Sequence, residues 1–283
     1  MSILLGFRSR RIGFNFGFIM ACSPIGLLLN PINAHSGNEP KVAHVDAGAG
    51  FAGEFTGTPD SEVTGQGAGV AIQINGLSWN DYGFSEGRAQ ATGTYQNNSE
   101  DDLHRTLTGQ SLVGTVDAEG TVGAMTREEG LSFCPGLYGE LRLRGATSIE
   151  QPSNQVQAAR TVVQADPALC FMTDRGVREV LVRLSASVGM QKNGAPHVRP
   201  EELLPILSSR LLITRRGLRA GAGFDFLPLD GSNRTTVELD ANVFGNLYVG
   251  TKGTLEALDL NSSGPGPRRE PVVSGMAVIG AAF

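Results

Sequence analysis

Acidic and arginine side chains recur at every second residue in several stretches of this 283-residue chain. Glu140, Arg142 and Arg144, for example, alternate with the apolar Leu141 and Leu143. Carboxylates and guanidinium groups that share one face of a strand can pair with each other, line a path for ions, or exchange protons with a substrate. Thirteen charged residues fit this pattern: Asp46, Glu54, Arg88, Asp117, Glu119, Glu140, Arg142, Arg144, Glu179, Arg183, Arg219, Glu238 and Asp240.

Histidine, the usual partner of such acids in catalysis, is scarce. The chain has four histidines, and His104 is the one that follows acids, Asp101 and Asp102. A catalytic site would need a second cluster facing this one, so a solvated acidic loop is the favoured interpretation. The sequence also lacks a phosphate-binding glycine loop, a cluster of residues with the spacing of metal ligands, and a calcium-binding loop. We therefore predict no catalytic residue, no metal site and no cofactor.

The segments that carry the charges alternate apolar and polar residues with a period of two, which predicts half-buried strands. Between them lie turn-forming residues such as the run from Gly264 to Pro267. One segment, 200–209, has a helical pattern, but Pro205 limits it to a turn or two inside a loop. The pattern predicts ten strands, within 45–55, 68–75, 88–95, 112–125, 137–144, 156–165, 179–188, 211–227, 237–249 and 271–283.

The segment 237–249 is read as one strand with a dry and a wet face. Strands in soluble proteins have about 5 or 6 residues, whereas a strand that crosses a bilayer at a tilt needs about 9 to 11. This length favours a membrane-spanning strand. Its dry face holds Val237, Leu239, Ala241, Val243, Gly245, Leu247 and Val249, and its wet face holds Glu238, Asp240, Asn242, Phe244, Asn246 and Tyr248.

Residues 1–34 have the three-part layout of a cleavable signal peptide, with arginines, an apolar run over 12–29 and Ala34 at the expected cut. Two other export signals stay open: Ser9-Arg10-Arg11 resembles a twin-arginine signal, and Ile19-Met20-Ala21-Cys22 resembles a lipoprotein box. The mature part, 35–283, is predicted to be a single all-β domain, because no shift in composition divides it.

Removal of residues 1–34 leaves 20 basic and 28 acidic residues, a net charge of −8 that argues against nucleic acid as a partner. It also leaves Cys134 and Cys170, an even number in an oxidising compartment. If the strands form a barrel that starts in the periplasm, both cysteines fall in connections on that side, where a disulfide can form. The same count places the tight turns near Asn80 and Asp230 on the periplasmic side.

The mature chain resembles the general class of Gram-negative outer-membrane β-barrels over residues 42–283. The motifs are the export signal, an even number of long amphipathic strands, and a last strand that ends in Phe283. The resemblance implies an antiparallel transmembrane barrel of about ten strands, within a range of 8 to 12, located in the outer membrane. It further implies contact with outer-membrane lipid, recognition of Phe283 by the barrel-assembly machinery, and ions or small solutes as candidate ligands. Oligomeric state is left open.

A secreted or periplasmic β-sandwich is the alternative fold, favoured by dry faces rich in glycine and alanine and by an aromatic content of 6%. For the barrel we expect a non-enzymatic structural, adhesive or narrow-channel role. The charges in its lumen are expected to form ion pairs that fill the interior, with a charged ion path as the second interpretation. A sandwich would bind a polymer or a protein partner. A hydrolase at the barrel rim, using His104 with Asp101 or Asp102, is the weaker alternative.

Overall fold

The computed structural model describes residues 42–57, 63–79, 83–102, 105–124, 130–148, 154–173, 180–194, 202–215, 217–229, 231–259 and 269–283. Fourteen strands occupy almost all of these residues, and every pairing between them is antiparallel. The described residues contain no helix long and apolar enough to span a membrane. The strands are β1 (Val42–Thr56), β2 (Val63–Trp79), β3 (Gly83–Asp102), β4 (Arg105–Ala124), β5 (Gly130–Phe133), β6 (Gly136–Ser148), β7 (Asn154–Asp166), β8 (Ala168–Thr173), β9 (Val180–Gly194), β10 (Glu202–Arg215), β11 (Leu218–Phe226), β12 (Asn233–Phe244), β13 (Leu247–Asp259) and β14 (Arg269–Ala282).

Twelve of the strands close into a ring in the order β1-β2-β3-β4-β6-β7-β9-β10-β11-β12-β13-β14, and β14 pairs back with β1. Closure satisfies the backbone groups that open sheet edges would leave unpaired. The predicted all-β barrel is confirmed, with twelve strands at the upper limit of the predicted range. The sandwich alternative is wrong, because the sheet closes on itself.

Two predicted strands are in fact hairpins, which accounts for the difference between ten and twelve. Segment 237–249 turns back at Gly245, whose φ is +57°, and segment 211–227 turns at Gly217, whose φ is +74°. Around Gly245 a bulge lets Asn242 pair with Tyr248. An odd number of residues then separates the two partners, so odd residues face outward in both arms and the sequence alternation shows no interruption.

The predicted helical turn at 200–209 is also wrong, because β10 begins at Glu202. Leu203 and Leu207 are exposed on its outer face, while Ile206 is fully buried inside the barrel. Ile206 packs there with Tyr138 and other apolar side chains. Apolar residues on both faces removed the alternation that would have identified the strand.

We call the end of the barrel that carries Val42 and Phe283 the terminal end, and the other the opposite end. The predicted turn near Asn80 joins β2 to β3 at the terminal end, as expected. The turn near Asp230 joins β11 to β12 at the opposite end, so its predicted location is wrong. The two unrecognised hairpins shifted the strand count before that turn.

The outer surface of the ring is apolar. Phe51 is 78% exposed and Val70 is 66% exposed, and the outward positions on the other strands are mainly leucine, valine, isoleucine and alanine. Val45 and Phe55 mark the two ends of this band on β1. Ten residue steps of about 3.3 Å, at a tilt of about 40°, span about 25 Å, the height expected for the lipid-facing band of a transmembrane barrel.

Candidate functional site

The lumen is the candidate site, because the polar and charged side chains converge there. Residues that pair directly across neighbouring strands form tilted rows around the inner wall. One row runs from Tyr248 on β13 through Gly280, Gly48 and Gln73 to Gln90 on β3. The same row continues through Asp117 on β4, Arg142 on β6 and Arg160 on β7.

Ion pairs cross the lumen between opposite walls. Arg142 on β6 donates to Glu256 on β13 at 2.7 Å, and these strands are six positions apart in the ring of twelve. Arg88 on β3 donates to Glu238 and Asp240, both on β12, five positions away. Strands five or six positions apart lie on opposite sides of the ring, so these pairs form only because the side chains reach across the barrel interior.

Two more cross-lumen contacts lie at neighbouring levels. Arg234 on β12 makes a bidentate pair with Glu140 on β6, at 2.7 and 2.6 Å. Lys252 on β13 donates to Glu119 on β4 at 2.7 Å. Bidentate geometry fixes both partners, so these contacts connect facing walls firmly.

Asp225 on β11 is the most heavily paired carboxylate in the lumen. It accepts from Arg160 at 2.9 Å, Arg210 at 3.2 Å and Arg234 at 3.0 Å, and the hydroxyl of Ser208 donates to it at 2.6 Å. The guanidinium of Arg210 also stacks 3.6 Å from the centre of a tyrosine ring, that of Tyr138. A buried carboxylate surrounded in this way is held by charge-assisted hydrogen bonds from several strands.

The structure brings most of the predicted lumen charges together inside the barrel. Glu119, Arg219 and Glu238 are partly buried there. Arg183 lies nearer the terminal end, pairs with Asp166 and stacks on the ring of Phe84 at 4.8 Å. Glu179 lies outside the described residues. The remaining predicted charges are buried: Asp46, Glu54, Arg88, Asp117, Glu140, Arg142, Arg144, Arg183 and Asp240.

The prediction missed eight further charges that line the same interior. Most stand on β10 to β13, where two hairpins were read as single strands, so the predicted segments 211–227 and 237–249 cover only parts of the four strands and leave out Arg210, Arg234, Lys252 and Glu256. Outward residues change from odd positions, such as Ile213, to even positions, such as Leu218, with Gly217 between them. This change of parity was the signal available in the sequence. The missed residues are Glu86, Arg160, Asp166, Arg210, Asp225, Arg234, Lys252 and Glu256.

Two cavities lie beside the ion pairs. A cavity of about 60 Å³ lies toward the terminal end, bounded by Arg183, Arg219 and Tyr138 among others. A second of about 40 Å³ is bounded by Asp117, Lys252 and neighbouring residues. Such volumes hold a few water molecules each.

Of the predicted sites outside the lumen, some lie within the described residues and others do not. Cys134 and Cys170 form the predicted disulfide at the terminal end, with their Cα atoms 5.9 Å apart. Asp101 and Asp102 end β3 at the opposite end, but His104 lies outside the described residues. Within the described part of the chain, no group of three histidine, cysteine or acidic residues could hold a metal ion. Residues 1–34, the predicted signal peptide, also lie outside the described residues.

No protein-family model matches the chain, and no curated protein is similar to it in sequence. Solved structures with a similar course of the chain include the transport unit of the autotransporter AIDA-I from Escherichia coli, with 9% identity, a TM-score of 0.46, and coverage of 92% of this chain and 96% of that one. The translocator domain of the autotransporter NalP from Neisseria meningitidis has 12% identity, a TM-score of 0.41, and 95% coverage of both chains. The outer-membrane protease OmpT from Escherichia coli has 10% identity, a TM-score of 0.33, and coverage of 88% and 99%.

With scores this low, the class of the protein is decided by its own geometry: a closed ring, an apolar band of membrane height outside and a charged interior. The chain folds as a closed antiparallel β-barrel of the transmembrane type. Exposed aromatic side chains lie near the terminal end, where Phe244 is 85% exposed and Phe283 is 79% exposed. Phe55 and Tyr95 lie near the other limit of the band and are also exposed. Two such aromatic levels are typical of a barrel that spans a bilayer.

Proposed function

We propose that this barrel has a structural, non-enzymatic role in the outer membrane, with a lumen closed by its own ion pairs. It then acts as a membrane-embedded scaffold that presents the connections of its opposite end, and it does not admit solutes. Lipid and the barrel-assembly machinery are the partners this role requires.

The observation that supports the proposal is the set of ion pairs between facing walls, exemplified by Arg142 with Glu256 and Arg234 with Glu140. Breaking a buried pair by removing one partner costs about 3 to 5 kcal/mol, because an uncompensated charge remains. Small barrels are commonly filled by side chains in this way.

Conductance of the purified full chain in a planar lipid bilayer tests the proposal. The expected result is insertion without stable current steps. A variant that combines Arg142→Gln with Glu256→Gln removes one cross-lumen pair without leaving an unpaired charge, and it is expected to show small steps. Heat-modifiable migration on a gel verifies that both proteins are folded barrels. Stable steps of similar size in the unmodified protein would overturn the closed lumen.

A narrow ion path is the second candidate, favoured by the two small cavities on either side of the ion pairs. Selective steps in the unmodified protein, with an ion preference that changes in Lys252→Gln, would support that candidate. The rim hydrolase remains a prediction from sequence. Cleavage of a peptide or ester substrate that is lost in His104→Ala would replace the structural proposal with that one.

A further inference from the structure

The wall of the barrel is broken at one level on two neighbouring strands near the terminal end. Pro135 separates β5 from β6, and Pro167 separates β7 from β8. Gly136 pairs with Asp166, so the two prolines stand beside each other. Proline has no N–H to donate to a sheet ladder, and two at one level therefore weaken the wall along a line.

Beyond this line, β5 and β8 form a short two-stranded extension, and only β8 pairs with a strand of the ring. β8 pairs with β9 from Ala168 to Thr173, and β5 pairs with β8. Among the described strands, β5 has no second partner, since the β4–β6 ladder ends at Gly123 and Gly136. Within the described ranges 105–124 and 130–148, the bond from the Ala124 N–H to the Pro135 carbonyl, at 2.9 Å, is the last backbone contact between the two segments.

The inner face of the extension is seated on apolar side chains from other strands. Cys134, Cys170 and Met172 are buried in one cluster with Leu77 of β2 and Phe84 of β3. Leu181 of β9 and Ala168 complete the cluster. This apolar seat joins side chains of β2 and β3 to those of β8 and β9, and Thr121 and Arg183 help to line a cavity of about 60 Å³ in the same part of the barrel.

We propose that the β5–β8 extension is a hinged gate over the terminal mouth, and that the Cys134–Cys170 disulfide keeps it in one piece on its apolar seat. The hinge is the line through Pro135 and Pro167, and opening exposes the cavity to the periplasm. The gate goes beyond the proposed structural role. Reduction of the disulfide measures opening of the terminal mouth, whereas conductance in a bilayer measures whether the centre of the lumen is closed.

The disulfide serves as its own reporter. Both cysteines are 0% exposed, so a thiolate can attack only after the gate leaves its seat or the whole barrel unfolds. A dithiol reagent then supplies two electrons: its thiols become a cyclic disulfide, and the protein S–S bond becomes two thiols. The experiment follows the rate of this reduction in the folded barrel, with trapping of the released thiols.

Phe84→Ala removes much of the seat and is expected to raise the rate of reduction about tenfold or more, through easier local opening. Leu77→Ala is expected to act in the same direction and serves if Phe84→Ala does not fold. Phe51→Ala, which changes a lipid-facing ring on β1, is the matched control and leaves the rate unchanged.

Reduction through unfolding of the whole barrel gives the opposite pattern. Gly69→Ala on β2 strains the wall outside the gate, since an added Cβ would lie 1.8 Å from the carbonyl oxygen of Gly93. A rate that rises in Gly69→Ala but not in Phe84→Ala or Leu77→Ala would overturn the gate. Retention of heat-modifiable migration after reduction, together with faster amide exchange confined to β5, β8 and the adjoining part of β9, is the result the gate requires.

Discussion

Two sides of the inner wall contrast along a single row of paired residues. Where the row crosses β14 and β1 it presents Gly280 and Gly48, and where it crosses β4, β6 and β7 it presents Asp117, Arg142 and Arg160. The next inward row toward the opposite end repeats the contrast. It has Gly50 on β1 and Ala71 on β2, and Arg144 on β6. We call the side formed by β14, β1 and β2 the glycine wall, and the side formed by β4, β6 and β7 together with β11 to β13 the charged wall.

The contrast shows two ways to complete a narrow barrel. Inward glycines let neighbouring backbones approach closely, which permits the strong local coiling that closure requires. On the charged wall, long side chains fill the interior and connect facing strands. The glycine wall is therefore expected to be sensitive to added volume, and the charged wall to lost partners.

Arg234→Gln should have the largest effect on the charged wall. It removes the bidentate partner of Glu140 and one of the three arginines around Asp225. The free energy of unfolding in urea, measured on the barrel in detergent or lipid, is expected to fall by about 3 to 5 kcal/mol. Arg215→Gln, at an exposed arginine next to the terminal-end turn, is the matched control and should change it little.

A loss below about 1 kcal/mol in Arg234→Gln would contradict this picture, because such a value is typical of exposed pairs. In the variant that combines Arg234→Gln with Glu140→Gln, part of the loss should be recovered. That recovery would attribute the effect to the carboxylate of Glu140, which keeps Arg160 at 3.4 Å but loses its bidentate partner, and not to lost packing.

The contrast between the walls was only partly predictable from sequence. The alternation that produced Glu140, Arg142 and Arg144 depends on local parity, which the sequence carries directly. Arg234 and Lys252 depend on where hairpins turn, and the bulge beside Gly245 hid that turn. Which acid meets which arginine across the lumen depends on strand number and stagger, which no local pattern encodes.

Gly69→Ala tests the glycine wall. The added Cβ would lie 1.8 Å from the carbonyl oxygen of Gly93, so the backbone must shift. The expected loss is about 2 to 3 kcal/mol in the free energy of unfolding. Gly93→Ala is a control on the adjoining strand, because its Cβ meets nothing within 4 Å. Equal effects of the two variants would show that β-strand propensity, and not close approach, determines the cost.

Tyr248→Phe tests the contact that joins the two walls. Tyr248 pairs with Gly280, Gly280 pairs with Gly48, and Gly48 pairs with Gln73. Across these two glycines the amide of Gln73 donates to the tyrosine oxygen, which in turn donates to Asp240 at 2.8 Å.

Removal of the hydroxyl in Tyr248→Phe leaves these buried groups without one partner, with an expected loss of about 1 to 2 kcal/mol in unfolding free energy. Tyr95→Phe, at an outward-facing ring, should be close to neutral. If both substitutions have the same effect, the hydroxyl of Tyr248 does not connect the walls.

Phe283→Ala should have the smallest effect on stability, although Phe283 follows the last strand of the glycine wall. Its side chain is exposed, and its backbone exchanges two hydrogen bonds with Val45, at 2.8 and 3.2 Å, that do not require the ring. The free energy of unfolding of refolded protein is expected to change by less than about 1 kcal/mol. If the ring is read by the assembly machinery, the amount of folded barrel in the outer membrane of producing cells should nevertheless fall several-fold. If Phe283→Ala lowers the yield of refolded protein as much as it lowers the amount of folded barrel in cells, Phe283 has a purely structural role. The end of β14 would then contribute to the stability of the glycine wall as well as lie in it.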